Sequence, residues 1–472
     1  MRKKIAFATI ADRDALFFIK IAKILINKNY SISFLAFHEP TINLIKENGF
    51  EVSCITKYLD CSILELDRVK VNEYENQYNI KNIRNLIKHE KLTFGLTGEE
   101  ELIKKAISYL NGIKKWLLAN KPDIVIQELG GFIAPLSLYY VAKSEDIRHI
   151  FLEPMMFKGT LGMVENTIDY SLPKINAKDL PSQLEVDQVK AYISEYNKNH
   201  NIIIPSKDRH HFSDATVSKI INLKNLKKIT KKIWNKYILH THQEYDFILN
   251  HLKVQICRLI NRKLLKKYYF NQNLDDKFTN QFLYYPLHVP LDFQLTVRSP
   301  EWLNQIQLLE FIADSLPYGI ELWIKEHPAS IGAYSKNELK NLIKKNNVKL
   351  LEPMINSGVL ISRCAATITI NSKVGAEALM QNKTVFVLGN PFYAQAKNVI
   401  KAKSYFELAN ELQLFFKNQR VDLLEKLDNI DFFLRIHQHS FTGELYDNSS
   451  ENIINVANML LAGIEGKGTL KS

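Results

Sequence analysis

The residues that decide the fold read ELWIKEHPAS at 321–330, KLLEP at 349–353 and ISRCAATITINSKVGAEALMQNKTVFVLGNPFY at 361–393. Three short apolar runs in this stretch have strand length and strand composition: Leu322-Trp323-Ile324, Ala366 to Ile370 and Thr384 to Leu388. Helical patterns over Lys336 to Lys345 and Val374 to Asn382 separate them. Strands alternating with helices predict a parallel sheet, and open parallel sheets bind ligands beyond the carboxyl ends of their strands. Those ends carry Lys325-Glu326-His327-Pro328, Asn371-Ser372 and Gly389-Asn390-Pro391.

The second junction has a chemistry of its own. Asn371 or Ser372 is placed to cap a helix starting near Val374, and Gly375 leaves room for a ligand at its first turn. Free N–H groups and the positive end of the helix dipole suit a phosphate there. Glu377, one turn in, is placed to accept from a ribose hydroxyl or to assist the cap. His327 ends what reads as the neighbouring strand and can donate to the same phosphate, while Pro328 stops that strand. Singly, these residues have plainer roles: a histidine before proline is often structural, and Asn-Ser before a helix is often only a cap. Together, on adjacent strands of one βαβ unit, they point to a nucleotide-phosphate site.

Three blocks within 282–393 carry a family likeness: Tyr285-Pro-Leu-His-Val-Pro290, Leu322 to Pro328 with its Lys-Glu-His-Pro, and Asn371-Ser-Lys-Val-Gly-Ala-Glu-Ala-Leu379. They resemble the capsule-polysaccharide biosynthesis proteins, a group that includes transferases of Kdo (3-deoxy-manno-octulosonic acid). The chain is similar more widely to GT-B glycosyltransferases that use CMP-activated acidic sugars. The resemblance implies two Rossmann-like α/β domains facing across a cleft, with C-terminal helices packing back. It also implies a nucleotide-sugar site drawn from His288, Lys325, His327, Pro328, Asn371, Ser372, Lys373, Gly375 and Glu377. The sequence departs from the pattern in one place, where the expected Ser/Thr pair is Ser372-Lys373.

At 472 residues, 46% hydrophobic and 24% charged, the chain is too long for one ordinary core and too apolar to be disordered. Domains are expected at 1–275 and 276–430, with C-terminal helices at 431–472. Met1-Arg-Lys-Lys runs straight into a short strand, so no secretory signal is expected, and no run of 18 apolar residues predicts a spanning helix. Cys54, Cys61, Cys257 and Cys364 have neither metal-site nor disulfide-framework spacing, which fits a reducing cytoplasm. The net charge of +12 is concentrated: residues 206–270 hold 15 Lys and Arg against 4 Asp and Glu. Within that segment Ile220, Leu223, Leu226, Ile229, Ile233, Tyr237 and Ile238 recur at helical spacing, and Ile256, Leu259, Ile260, Leu264 and Leu265 do so again. Basic amphipathic helices of this kind suit an anionic partner, such as the inner face of a membrane through residues 220–267. The plainer alternative is a surface helical pair packed on the N-terminal domain. No nucleic-acid-binding motif accompanies the charge.

Lys4 to Ile10, Ser31 to Phe37, Ile124 to Gln127 and His149 to Leu152 read as strands of a first sheet. No Gly-x-Gly-x-x-Gly follows the first of them, so no dinucleotide is expected there. The strand ends instead carry Asp12 and Asp14, then Glu128 beside Gly130-Gly131, then Glu153. These four are the candidate carboxylates for acid, base or nucleophile work on an acceptor, and Asp12 or Asp14 has the alternative role of a helix cap. Residues 67–91 read as a polar surface excursion, 97–101 as an acidic helix start, 271–280 as the interdomain crossing, Pro300 to Leu316 as one long helix and 463–472 as a frayed tail. Gly443 marks a return crossing. The reading is transfer of an acidic sugar, Kdo first, from a CMP donor to a glycan or glycolipid acceptor, with no metal or other cofactor called for. Two alternatives remain at this point: polyol-phosphate transfer from a CDP donor, and a non-catalytic glycan-binding relative in an export complex.

Overall fold

The computed structural model describes residues 2–60, 66–169, 172, 180–200, 223–242, 248–270, 281–417, 429–466 and 469–470. The N-terminal half gives β1 (Lys4–Thr9), α1 (Asp12–Asn27), β2 (Ser31–Ala36), α2 (Thr41–Glu47), β3 (Glu51–Cys54), α3 (Arg68–Gln77), α4 (Ile83–Phe94), α5 (Glu99–Asn120), β4 (Ile124–Glu128), α6 (Ile133–Ser144), β5 (Arg148–Pro154), β6 (Thr160–Glu165) and α7 (Gln183–Asn199). The basic stretch holds α8 (Leu223–Tyr237) and α9 (Ile248–Leu265). The second half follows with β7 (Phe282–Pro286), α10 (Phe293–Thr296), α11 (Gln305–Ser315), β8 (Glu321–Lys325), α12 (Lys336–Leu339), β9 (Val348–Leu351), α13 (Ser357–Arg363), β10 (Ala366–Thr369), α14 (Val374–Met380), β11 (Thr384–Val387), β12 (Val399–Lys401), α15 (Tyr405–Lys417), α16 (Ile430–Gln438), β13 (Phe441–Thr442), α17 (Ser450–Ile464) and β14 (Thr469–Leu470).

Near-continuous apolar strands such as β1 and β7 are buried on both faces, as strands of a helix-covered parallel sheet must be. The first sheet has the order β13-β6-β5-β4-β1-β2-β3, with β1 to β5 parallel and β6 antiparallel to β5. The second is fully parallel in the order β12-β11-β10-β7-β8-β9. Each therefore has the Rossmann arrangement, with its order reversing between β1 and β4 and between β7 and β10. The carboxyl ends meet: Lys373, just after β10, donates from Nζ to the carbonyls of Pro154 (2.8 Å) and Met155 (3.2 Å) at the end of β5. The expected architecture of two facing Rossmann-like domains is the one found.

The return crossing is also found. Gly443 donates its N–H to the Gly159 carbonyl at 2.9 Å, β13 pairs with β6, and α17 packs on α1 through a core that includes Ile453, Val456 and Leu460. The tail is not frayed throughout, because Thr469–Leu470 pairs in parallel with β6.

Other expectations need correction. His327 does not stand on the strand next to β10: β7 lies between β8 and β10. Residues 67–91 are a surface excursion only in part: α3 buries none of its residues, whereas α4 buries Leu86, Ile87, His89 and Glu90 beneath α5 and α6. The long helix over Pro300 to Leu316 breaks into a 3₁₀ turn at Pro300–Trp302 and α11, and that over Lys336 to Lys345 shortens to α12 and another such turn. The crossing at 271–280, Cys61 and residues 201–222 lie outside the described residues.

The basic segment does not rest on the N-terminal domain alone. Asn250 of α9 donates to the Phe94 carbonyl at 2.6 Å, while Asn261 donates to Gly332 at 3.0 Å and Leu265 enters the core beneath the second sheet. α7 likewise packs on α14 and α16, with Asn197 donating to the Met380 carbonyl at 3.1 Å. Among the described residues no helix is long and apolar enough to cross a membrane.

Candidate functional site

The switch point of the second sheet is built around His288. It is 5% exposed, follows β7, and its Nε2 accepts from the Asn371 N–H and lies against the Thr369 hydroxyl, both at 3.3 Å. Burial, with His327 nearby, lowers its pKa to about 3, so the ring is neutral and fastens the β7 loop to the end of β10. Asn371 turns its side chain inward, donating to the Gln294 carbonyl and the Ser299 hydroxyl at 2.9 Å each.

Four of the backbone N–H groups expected to receive a phosphate at the start of α14 are already engaged. The N–H groups of Asn371, Ser372, Val374 and Gly375 are committed to His288, the Thr369 hydroxyl, the Ser372 hydroxyl and the Ser372 carbonyl respectively. Neither Asn371 nor Ser372 is the N-cap of α14; that position is Lys373, whose side chain makes no cap bond. Gly375 makes room for protein rather than ligand, because a Cβ there would lie 2.3 Å from the Tyr393 hydroxyl oxygen. Tyr393 in turn donates to the Ser372 carbonyl.

Glu377 is also displaced from its expected role. It is 4% exposed and accepts from Tyr196 of α7 at 3.4 Å, beneath the site rather than in it. Lys325 is buried at the end of β8, where its Nζ donates to the Ile355 carbonyl at 2.9 Å. Burial lowers its pKa to about 8, with Glu377 and Glu352 pulling the other way. Glu377 and Lys325 thus set the field under the strand ends.

Two polar side chains remain suited to an incoming phosphate. His327 is half-buried, and its Nδ1 accepts from the Ala329 N–H at 3.1 Å, in a 3₁₀ turn that begins with Pro328. That bond assigns the ring proton of the neutral form to Nε2, which is then a donor. The Ser372 hydroxyl accepts from Val374 and retains its own proton for donation.

Across from these, the switch point of the first sheet collects Asp14 and Glu128. Asp14 is the third residue of α1, whose N-cap is Ala11, and its carboxylate reaches back to accept from the N–H of Ile10 (2.7 Å) and Ala11 (2.9 Å). Burial raises its pKa to about 7, opposed by those N–H bonds and assisted by the charge of Glu128. Glu128 accepts a hydrogen bond from Tyr446, whose ring lies 3.9 Å beneath the Arg13 guanidinium. Asp12 is exposed in the first turn of α1. Glu153 stands apart, paired with Arg298 of the other domain.

Arg298, Thr369, Tyr393 and Tyr446 were not singled out in the sequence. Tyr446 lies 318 positions from Glu128, and no local pattern could have joined them.

Residues 180–397 match the family model described as capsule polysaccharide biosynthesis protein, and the three motif blocks fall inside that segment. The protein FixF of Sinorhizobium fredii (strain NBRC 101917 / NGR234) is 32% identical over 114 residues, 24% of this chain; the chain spans only 27% of that relative's length. Among solved structures, the beta Kdo 2,4 transferase of Thermosulfurimonas dismutans KpsC is similar over 72% of this chain and 88% of its own, at 13% identity and a TM-score of 0.40. The beta Kdo 2,7 transferase of the same protein covers 75% and 89% at 13% identity and a TM-score of 0.34. A UDP-GlcNAc 2-epimerase from Neisseria meningitidis, bound to UDP-GlcNAc, covers 98% and 100% at 11% identity and a TM-score of 0.27.

Proposed function

We propose that this protein is a glycosyltransferase of capsule or related surface-polysaccharide synthesis, moving an acidic sugar from a CMP-activated donor to a glycan or glycolipid acceptor. Kdo is the first candidate sugar. The observation that carries the reading is the coincidence of the family match with the sheet-end geometry: residues 180–397 enclose both His327 and Ser372, at carboxyl ends flanking the switch point of the second sheet. In this reading the His327 Nε2–H and the Ser372 hydroxyl hold the leaving phosphate and stabilise its charge as the glycosidic bond breaks. His288, Asn371 and Tyr393 position them. Glu128, with Asp14 behind it, assists the acceptor hydroxyl or attacks the sugar.

We place the enzyme at the inner face of the cytoplasmic membrane. Trp234, Tyr237 and Ile238 of the α8 region and Ile256, Ile260 and Leu264 of α9 are each 47–59% exposed among lysines, a composition suited to an anionic bilayer surface.

A thermal-shift series with CMP, CDP and UDP, followed by a transfer assay with CMP-Kdo, tests the reading. Stabilisation by CMP and release of CMP on adding an acceptor are expected. Stabilisation by CDP alone overturns the donor assignment in favour of polyol-phosphate transfer, and no nucleotide response overturns the enzyme reading in favour of a glycan-binding role.

A further inference from the structure

A cavity of about 490 Å³ opens between α2, the end of β3 and α8, and neither Asp14 nor Glu128 lines it. Its size falls within the roughly 300–1,000 Å³ typical of small-molecule sites. It lies beyond the carboxyl ends of β2 and β3, the edge that parallel sheets use for ligands. Three lysines from three separate elements converge on it: Lys46 of α2, Lys57 after β3 and Lys231 of α8. None of the three has a carboxylate partner among the described residues. Asn43 and Asn235 line the same space with neutral donors and acceptors.

The cover over this cavity is anchored. Glu39, after β2, donates its N–H to the His242 carbonyl at 3.1 Å, and its carboxylate accepts the His242 N–H at 2.7 Å. The His242 ring meets the Tyr109 hydroxyl at 3.2 Å. The segment after α8 is thereby tied to the strand end, which holds Lys231 in place over the opening. Glu39, the one carboxylate in the wall, keeps its charge while it serves this tie, so the lining sets three ammonium groups against one carboxylate and is net positive. Lysine ammonium groups neutralise carboxylate or phosphate without demanding a fixed geometry, and the asparagines suit sugar hydroxyls.

We propose that this cavity is an acceptor subsite, holding an anionic substituent (carboxylate or phosphate) of a glycan chain whose reacting end lies at Asp14 and Glu128. The assignment rests on the transferase reading for the direction of the chain, and on the cavity itself for the charge. Strands in a sheet lie about 4.8 Å apart. The cavity between β2 and β3 is therefore roughly 10 Å from the β1–β4 switch point along the sheet. A chain entering along this edge reaches both places at once.

The experiment uses the full chain and measures binding of α-1,4-linked tetragalacturonate by calorimetry, with maltotetraose as the neutral control. Lys57→Gln combined with Lys231→Gln changes exposed side chains only. It is expected to weaken tetragalacturonate binding at least about tenfold while leaving the thermal shift by CMP unchanged. Trp234→Ser, at a residue outside the cavity wall, is expected to leave tetragalacturonate binding intact. Equal affinity of the wild type and the double variant overturns the subsite, as does equal binding of maltotetraose. Loss of flotation on phosphatidylglycerol vesicles with unchanged oligosaccharide binding also overturns it, and assigns the lysines to lipid head groups. A lysine-dependent oligosaccharide response in a protein that fails to bind any nucleotide sinks the transferase reading while leaving the anion site standing.

Discussion

Both terminal nitrogens of Arg298 reach the carboxylate of Glu153, Nη1 to Oε1 at 3.2 Å and Nη2 to Oε2 at 3.3 Å, so a two-pronged ion pair joins the domains. The side chains are 8% and 14% exposed, far from the solvent-screened setting in which such pairs contribute little. Removing one partner of a buried pair costs roughly 3–5 kcal/mol. Glu153→Gln and Arg298→Ala are each expected to lower stability by the smaller part of that range, and the double variant by little more than either alone. Urea unfolding of the four proteins checks this. A Glu153→Gln variant that loses transfer at unchanged stability would return Glu153 to the reacting groups.

His327 is the donor-side residue whose loss should tell most. A hydrogen bond to a charged group is worth about 1.5–3 kcal/mol, and about 1.4 kcal/mol is a factor of ten in rate. His327→Ala is expected to slow transfer at least about tenfold with folding intact, measured as initial rates at saturating donor. Wild-type turnover would remove His327 from the site.

On the acceptor side, Glu128→Gln keeps the shape and deletes the charge. Transfer should fall by about 10²–10⁴-fold, the usual range for acid–base assistance, while the thermal shift by CMP persists. Tyr446→Phe removes only the hydrogen bond to Glu128 and should cost less. If Tyr446→Phe is the more damaging of the two, the role of Glu128 is structural.

Asp14 gives the fold a pH signature. Its carboxyl is held protonated up to about 7, chiefly by burial, whereas its ordinary value is 3.8. The native state therefore binds a proton that the unfolded chain releases. The stabilising contribution is complete below about pH 4 and is lost as pH rises through about 7, with a slope of up to roughly 1.4 kcal/mol per pH unit. Asp14→Asn should flatten this fall. Chemical unfolding of both proteins at pH 5 and pH 8 measures it, and parallel pH profiles would refute the shift.

The exposed aromatic residues of α8 make a separate claim. Trp234→Ser with Tyr237→Ser is expected to reduce flotation on phosphatidylglycerol vesicles at least about tenfold. Transfer to a short soluble acceptor should stay unchanged. Equal flotation at low salt would leave the membrane placement without support.

Much of the architecture was legible because parallel strands buried on both faces must be apolar along their length. Runs such as Ala366 to Ile370 announce themselves in that way. Strand order is a different kind of information. Nothing local in 321–393 says that residues 282–286 insert between two strands of that stretch, so the sequence alone puts His327 one strand too close to Ser372. The glycine signal misled for a related reason: Gly375 does mark a close approach, but by Tyr393, eighteen residues onward. Tyr446 was invisible for a stronger reason, since it reaches Glu128 only because the chain returns to the first domain at its end. The cap alternative for Asp14 holds only in part: its carboxylate accepts the Ala11 N–H, but from the third position of the helix, and Ala11 is the N-cap.

That return has a consequence for how the molecule is made. The first domain's early strands end at Glu165, yet β13 begins only at Phe441, and α17 follows it. At ribosomal rates of about 5–20 residues per second, the two emerge roughly 15–55 s apart. Throughout that interval Leu161 and Met163 of β6 and the outer face of α1 lack their cover, and the sheet keeps an open edge of the kind that invites stray pairing. The second sheet is contiguous from Phe282 to Lys401 and has every strand it needs before β13 exists. In chain order, then, the second sheet is complete before the first has its last strands and its covering helix.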